Sequence, residues 1–318
     1  MRTFLWGLFL VLLSQNLLAA GLAERVQEVR LENGLTVLLL ERRDFPTVSA
    51  YITFRVGSAN EGLENQGVAH LLEHMLFKGT QLLGTTDYQA EKPLLDKIEQ
   101  LGSRIDSLKN DPRADLKVLA DLRNQLTEVQ AQHKHYVVKD EFSRIYAENG
   151  GVGYNAFTSK DQTTYIISLP ANKLELWAAI ESDRLKNAVL REFYVEREVV
   201  REERRRSYES SPSGLLYEAL IASAFTVHPY RHPIIGWDSD IENLSLREAR
   251  DFFEAYYRPA NMIVTLVGDF DSPAALQLIR RYFGSLPPGK EVPRVIAREP
   301  QQRAEKRVKI RFDAEPSL

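Results

Sequence analysis

Gly67 to Lys78 is apolar on nearly every side, through Val68, Ala69, Leu71, Leu72, Met75, Leu76 and Phe77, and Gly79 stands at the C-cap position that would stop a helix there. A helix that is greasy all round has to be buried. This one nevertheless carries His70, Glu73 and His74, which a helical repeat brings to one face, because positions i, i+3 and i+4 are neighbours. Buried polar groups without partners cost on the order of 1–3 kcal/mol each, so these three must be paired or must hold something. Whatever the chain folds into has to wrap this helix, and 318 residues, 44% of them hydrophobic, supply the apolar surface to do so. That length allows one large domain or two modest ones.

Two imidazoles at i and i+4 can both reach one metal ion, with a nitrogen about 2.0–2.1 Å from zinc. A carboxylate beside them can take a proton from water. The order His-x-x-Glu-His is the inverse of the His-Glu-x-x-His zinc helix. Two core histidines beside a chance glutamate is the other reading of the same positions. The chain has no cysteine, which removes disulfides, thiolate metal sites and cysteine nucleophiles together, so a metal site would be built from histidine and carboxylate. A charged helix expected from about Arg191 to Tyr208 offers a third ligand. Glu196 and Glu203 are seven positions apart and share a face, with Val199 and Val200 between them on that side. Arg197, Glu198, Arg201 and Glu202 are expected to point elsewhere. The same run, VEREVVREERRR, also reads as a solvated charged face; carboxylates turned inward would need a cation or donors.

Around these two helices the chain alternates between strand and helix signals. Residues 1–23 read as an export signal: Arg2, a ten-residue apolar run from Phe4 to Leu13, then small residues from Ala19 to Ala23. The run is too short to span a bilayer comfortably, which leaves a retained anchor as the lesser alternative. The compartment implied is periplasmic or secreted. A net charge of -3, from 41 basic and 44 acidic residues, gives no sign of a nucleic-acid partner. Val26 to Glu41 reads as a hairpin turned at Asn33-Gly34, and Val48 to Val56 as a strand. From about 91 to 137 a seam of Leu94, Ile98, Leu101, Ile105 and Leu108, broken at Asn110-Asp111-Pro112 and resumed at Leu119, Leu122, Leu126 and Val129, predicts an inserted antiparallel helical hairpin. His133 and His135, near its end, read as solvated surface residues. Helices are expected over Leu174–Leu185, Leu246–Tyr257 and Pro273–Phe283, strands after Gly150 and over Asn261–Gly268. A polar linker follows Leu286, and Arg307 to Phe312 alternates like a fresh strand. Without strict βαβ alternation the fold class is α+β, a mostly antiparallel sheet with helices packed on it.

Taken together the motifs resemble the inverted-zincin M16 metallopeptidases of the pitrilysin, insulysin and mitochondrial processing peptidase type. Gly57-Ser58-Ala59-Asn60-Glu61 and GVAHLLEHMLFKGT are similar to that family's zinc helix and its approach. ExxVVxEE from Glu196 to Glu203 resembles its downstream ligand helix, HPYRHPIIGWDSDIENLS and YYRPANMIVTLVGDFD the rest of its first repeat. The resemblance covers roughly residues 25 to 290 apart from the hairpin, which accounts for a His74-to-Glu203 interval of 129 positions, longer than the family's usual one. It implies one zinc ion per chain on His70, His74 and Glu203, Glu73 as general base, and Glu196 as the carboxylate that orients a histidine. It also implies an extended peptide substrate paired to the strand at Asn155, Ala156, Phe157 and Thr158, with Asp161 to Tyr165 read as part of the same substrate strand. The implied activity is zinc-dependent endopeptidase; a non-catalytic assembly or chaperone subunit of a peptidase pair is the alternative. Residues 24–290 would form one catalytic repeat and 291–318 a linker with the start of a second. A second copy or a separate partner subunit could supply that second repeat. S-ribosylhomocysteine lyase has a similar inverted motif but needs cysteines, which are absent.

Overall fold

β1 (Gln27–Arg30) folds back on β2 (Thr36–Glu41) as an antiparallel pair through a turn closed by Gly34 N–H on the Leu31 carbonyl. Gly34 takes a φ of +89° but Asn33 does not take a positive φ, so this is an ordinary turn ending in a left-handed glycine in place of a primed Asn-Gly turn. The Asn33 amide donates to the carbonyls of Phe283 and Leu286, which fastens this turn to the far end of the domain. The computed structural model describes residues 21–312, so the export-signal reading falls almost wholly outside the described residues. Four further strands complete one sheet: β3 (Thr47–Phe54), β4 (Val152–Thr158), β5 (Thr163–Pro170) and β6 (Met262–Gly268). Their order is β1-β2-β6-β3-β5-β4, and only β2 with β6 is parallel. The α+β expectation holds. Period-two alternation gives the sheet a buried face (Val37, Leu39, Val48, Ala50, Ile52, Phe54, Val264, Leu266) and an opposite face tied by hydroxyl pairs such as Ser49–Ser168 at 2.8 Å. β4 is a sheet edge.

Apart from a single helical turn at Leu22–Arg25, the α-helices among the described residues are α1 (Val68–Met75), α2 (Tyr88–Leu108), α3 (Leu116–His133), α4 (Glu141–Glu148), α5 (Leu174–Asn187), α6 (Phe193–Arg204), α7 (Pro212–Ala224), α8 (Asp238–Asn243), α9 (Leu246–Tyr256) and α10 (Ser272–Phe283). None of the described helices is long and apolar enough to cross a membrane. α1 stops three residues before the expected Lys78. The turn that follows is drawn together by Arg191, whose guanidinium takes the carbonyls of Lys78, Thr80 and Leu83. α2 and α3 form the predicted hairpin, with Leu101, Ile105, Leu119 and Leu122 as a small core of their own.

Three expectations are corrected. His133 is buried, not solvated: its Nε2 lies 2.8 Å from a Glu91 carboxylate that also receives Arg191, and this buried trio pins the hairpin to the main domain. His135 is exposed, as expected. On α6, Val199 is exposed and Arg197 is buried, because the helix is rolled so that Phe193, Glu196, Arg197, Val200 and Arg204 face inward; Arg197 satisfies its charge on Asp106 and the Leu244 carbonyl. The predicted strand at 307–312 does not form: among the described residues no strand pairs with it, and an isolated strand cannot satisfy its backbone.

Candidate active site

The start of α1 is fixed from outside the helix. Gly67 lacks a capping side chain, and the buried Glu61 carboxylate takes over, accepting from Gly67 N–H at 3.0 Å and Ala69 N–H at 2.9 Å. Gly67 itself has φ +96°, and a Cβ there would come 2.5 Å from the Ile235 carbonyl, so only glycine fits the close approach. Burial pushes the Glu61 carboxyl up to about 8 against the pull of those two N–H groups.

With α1 so placed, His70 and His74 stand one turn apart with ring centroids 4.8 Å from each other. α6 runs alongside and brings Glu203 to both: Oε1 is 3.7 Å from His70 Nε2 and Oε2 is 3.5 Å from His74 Nε2. Donor atoms of the three residues all lie within 4.8 Å of one another. Behind them, Glu196 Oε2 is 3.4 Å from His74 Nδ1, and the other Glu196 oxygen meets Lys78 Nζ at 2.5 Å. Glu73, on the same helix face, accepts a hydrogen bond from the Thr158 hydroxyl at 2.5 Å. The structure thus brings His70, Glu73, His74, Glu196, Glu203 and Thr158 together, with Glu196 against the histidine nitrogen that faces away from Glu203.

The proton affinities of this group are set by burial and by its own members. Burial holds the His70 ring down, at about 4, helped by repulsion from His74 and opposed by Glu203. Burial would lower His74 too, but its bonds to Glu196 and Glu203 outweigh that and lift it to about 9. Glu203 is held below the usual carboxylate range chiefly by its bond to His74. Burial raises the Glu73 carboxyl, with the Thr158 hydroxyl acting the other way. Two carboxylates around one imidazole draw a proton to it when nothing else is there, which is the electrostatic signature of a site that accepts positive charge. Two imidazoles and one carboxylate match the donor set of zinc, and bonds of about 2.0–2.2 Å in a tetrahedron place ligand atoms about 3.3–3.6 Å apart. The separations of 3.5 and 3.7 Å to Glu203 are within small side-chain adjustments of that. The residues present fit the ion.

A cleft of about 440 Å³ opens over the group, with Ala156, Phe157 and Thr158 of β4 on one wall and Tyr208 and Ile235 on the other. Asn155 and Phe157 are exposed on β4, which is paired only to β5. The expectation that Asp161 to Tyr165 belongs to the same substrate strand is corrected. Thr163 to Tyr165 lie in β5, both of whose edges are already taken by β3 and β4, and Asp161 sits in the turn, where it accepts from Tyr230. Sequence reasoning missed Lys78, although it is four residues after His74 and the wheel that found Glu73 would have placed it on that face. It also missed Glu61 as a clamp and the Thr158 bond to Glu73, for which no local pattern exists.

In fold this chain is similar to solved structures of peptidases. It aligns with the crystal structure of a protease from Helicobacter pylori at a TM-score of 0.66 and 29% identity, covering 87% of this chain and 55% of that one. Against the first half of the periplasmic protease PqqL from Escherichia coli the TM-score is 0.61 at 23% identity, over 85% of this chain and 48% of that one, a likeness of fold. A model of the insulinase family, peptidase family M16, matches residues 36–111 and 128–238, and a model described as the peptidase M16 inactive domain matches 243–317. The chain belongs to peptidase family M16. Among its curated relatives is the zinc protease PqqE of Helicobacter pylori, 29% identical over 301 residues, which make up 93% of this chain and 55% of that protein. The chain spans about half the length of the curated relatives it matches. The gap in the insulinase match, 112–127, falls on the tip of the helical hairpin and most of α3.

Proposed function

We propose that this chain is a zinc-dependent endopeptidase acting on extended peptides or unfolded protein segments in a periplasmic or secreted setting. The observation that carries the reading is the convergence of His70, His74 and Glu203 donors within 4.8 Å beside Glu73. These three side chains hold one zinc ion, which supplies Lewis acidity that polarises a scissile carbonyl and makes water more acidic. Glu196, through His74 Nδ1, fixes the tautomer and orientation of that ring. Glu73 accepts the proton of the attacking water and delivers it to the leaving amine, a role suited to a carboxyl whose proton affinity burial has raised. Thr158 keeps the Glu73 carboxylate aimed. Asn155, Ala156 and Phe157 present the free edge of β4, on which an extended peptide adds as a further strand. Backbone pairing tolerates many sequences, so selectivity falls to the cleft walls. Relatives about twice as long support a requirement for a second repeat, supplied by a further copy or a partner subunit, for full turnover.

Zinc content per chain and hydrolysis of an unfolded peptide test the proposal. Wild type should bind one zinc ion and Glu73→Gln should keep it while losing about 10²–10⁴-fold in turnover; His70→Ala should lose the metal. Equal turnover in wild type and Glu73→Gln would remove Glu73 from its role, and a wild type without stoichiometric zinc would remove the proposal. The alternative, a non-catalytic assembly or chaperone subunit, would bind zinc and leave every peptide intact even with its partner present.

A further inference from the structure

Lys78 is not a ligand and does not line the cleft, yet its side chain sits at the join between the two metal-binding helices. Its Nζ is 2.5 Å from Glu196 Oε1 and 3.4 Å from Glu192 Oε2. Among the described residues it is the one Lys or Arg whose ion pairs link the α1 segment to α6; the remaining links there are those of His70 and His74. Its backbone is held as firmly as its head group. The Lys78 carbonyl receives Arg191, and the next residue, Gly79, takes φ +105° in a turn so tight that a Cβ would lie 2.2 Å from the Leu83 carbonyl. The lysine therefore leaves from a fixed origin and ends on a fixed carboxylate.

We propose that Lys78 is a positioning residue for the metal centre: by occupying one oxygen of Glu196 it turns the other toward His74 Nδ1 and so presets His74 Nε2 for the ion. This inference rests on the metal reading of the site. Glu196 has two oxygens and two partners, and they divide cleanly, Oε1 to Lys78 and Oε2 to His74. Without the lysine, the carboxylate keeps a single contact at 3.4 Å, is free to rotate, and adds uncompensated negative charge beside Glu192 and Glu203. A simple Coulomb view predicts the opposite sign, since a nearby ammonium repels a cation. That repulsion is weak here, because two carboxylates already neutralise Lys78 and its side chain keeps 24% of its exposure, which admits water screening. Outer-shell partners of ligating histidines are typically worth about 10–100-fold in metal affinity.

The test is the zinc dissociation constant, by chelator competition, of wild type, Lys78→Met, Lys78→Arg, Glu196→Gln and the double variant Lys78→Met/Glu196→Gln, each checked by circular dichroism and by the melting temperature of its apo form. Positioning predicts about tenfold or greater weakening in Lys78→Met and in Glu196→Gln. It also predicts affinity within about threefold of wild type in Lys78→Arg, and a double variant no weaker than Glu196→Gln alone within the same margin. Unchanged or tighter zinc in Lys78→Met, a double variant in which the two losses multiply, or equal losses in Lys78→Arg and Lys78→Met would overturn it. Should Lys78→Met not fold, Lys78→Gln is judged by the same criteria. A wild type that binds no zinc would instead defeat the metal reading itself, so the two failures are distinct.

Discussion

At the scale of single residues, the site is built from groups whose proton affinities are set by their neighbours. Thr158 is the clearest case. Its hydroxyl donates to Glu73 at 2.5 Å, while burial pushes the Glu73 carboxyl the other way. A hydrogen bond to a charged group is worth about 1.5–3 kcal/mol. Removing it in Thr158→Val withdraws stabilisation from the carboxylate, so its pKa rises further and the acid limb of the kcat/KM profile should move to higher pH, with kcat reduced about tenfold or more. Thr158→Ser should restore both. A profile that stays in place in Thr158→Val would assign the hydroxyl to substrate contact alone. Glu61 works through structure instead: Glu61→Ala leaves the Gly67 and Ala69 N–H groups unpaired in the interior, which should lower unfolding free energy by about 1–3 kcal/mol in denaturant titration. The three residues His70, Glu73 and His74 were legible in the sequence because one helix carries them and its periodicity is local. Thr158 and Lys78 were harder, since their meaning depends on which residue of a distant element lies opposite.

At the scale of elements, the strands of the sheet and most helices followed from alternation, turn dipeptides and caps, while α4, α7 and α8 went unread and the roll of α6 was not foreseen. Val199 and Val200 are equally apolar, and only packing against α1 decides that Val200 goes inward and Val199 out. The same limit explains Glu91, Arg191 and His133, a buried group assembled from three separate elements. The hairpin of α2 and α3 has its own core, so Leu122→Ala should cost about 2–5 kcal/mol locally. Hydrogen exchange should quicken across the outer parts of α2 and α3 and stay slow in β3, β5 and β6, with zinc affinity unchanged. Loss of protection in the central sheet would show that the hairpin and the sheet unfold as one unit. The free edge of β4 makes a different prediction. If a peptide adds there as a strand, every second backbone N–H of the peptide points at β4, and single N-methylation along it should weaken binding with a period of two. Uniform sensitivity along the peptide would mean that side-chain pockets hold the substrate rather than the strand edge.

At the scale of the whole molecule, the donors come from positions 129 residues apart, His74 and Glu203, with the helical hairpin and two strands, β4 and β5, between them. A metal ion that joins them closes a long loop, and two arrangements of energy are possible. In one, the ion gathers ligands that are otherwise apart, and the fold depends on it, as in small zinc domains. In the other, the core has already placed the ligands and the ion adds only its binding free energy. The structure favours the second. α1 is buried through Val68, Ala69, Leu71, Leu72 and Met75, its start is clamped by Glu61, and Val200 of α6 is fully buried in the same core. The ligands converge because hydrophobic contacts put them there. Stripped of metal by a chelator, the chain should therefore keep its far-ultraviolet circular dichroism and melt in one cooperative step. Free zinc at a thousandfold excess over its dissociation constant should then add about 4 kcal/mol, seen as a rise of several degrees in melting temperature. His70→Ala should not respond to zinc. Unfolding of the chain at 25 °C on removal of the metal would place the ion, rather than the core around α1, at the origin of the ligand geometry.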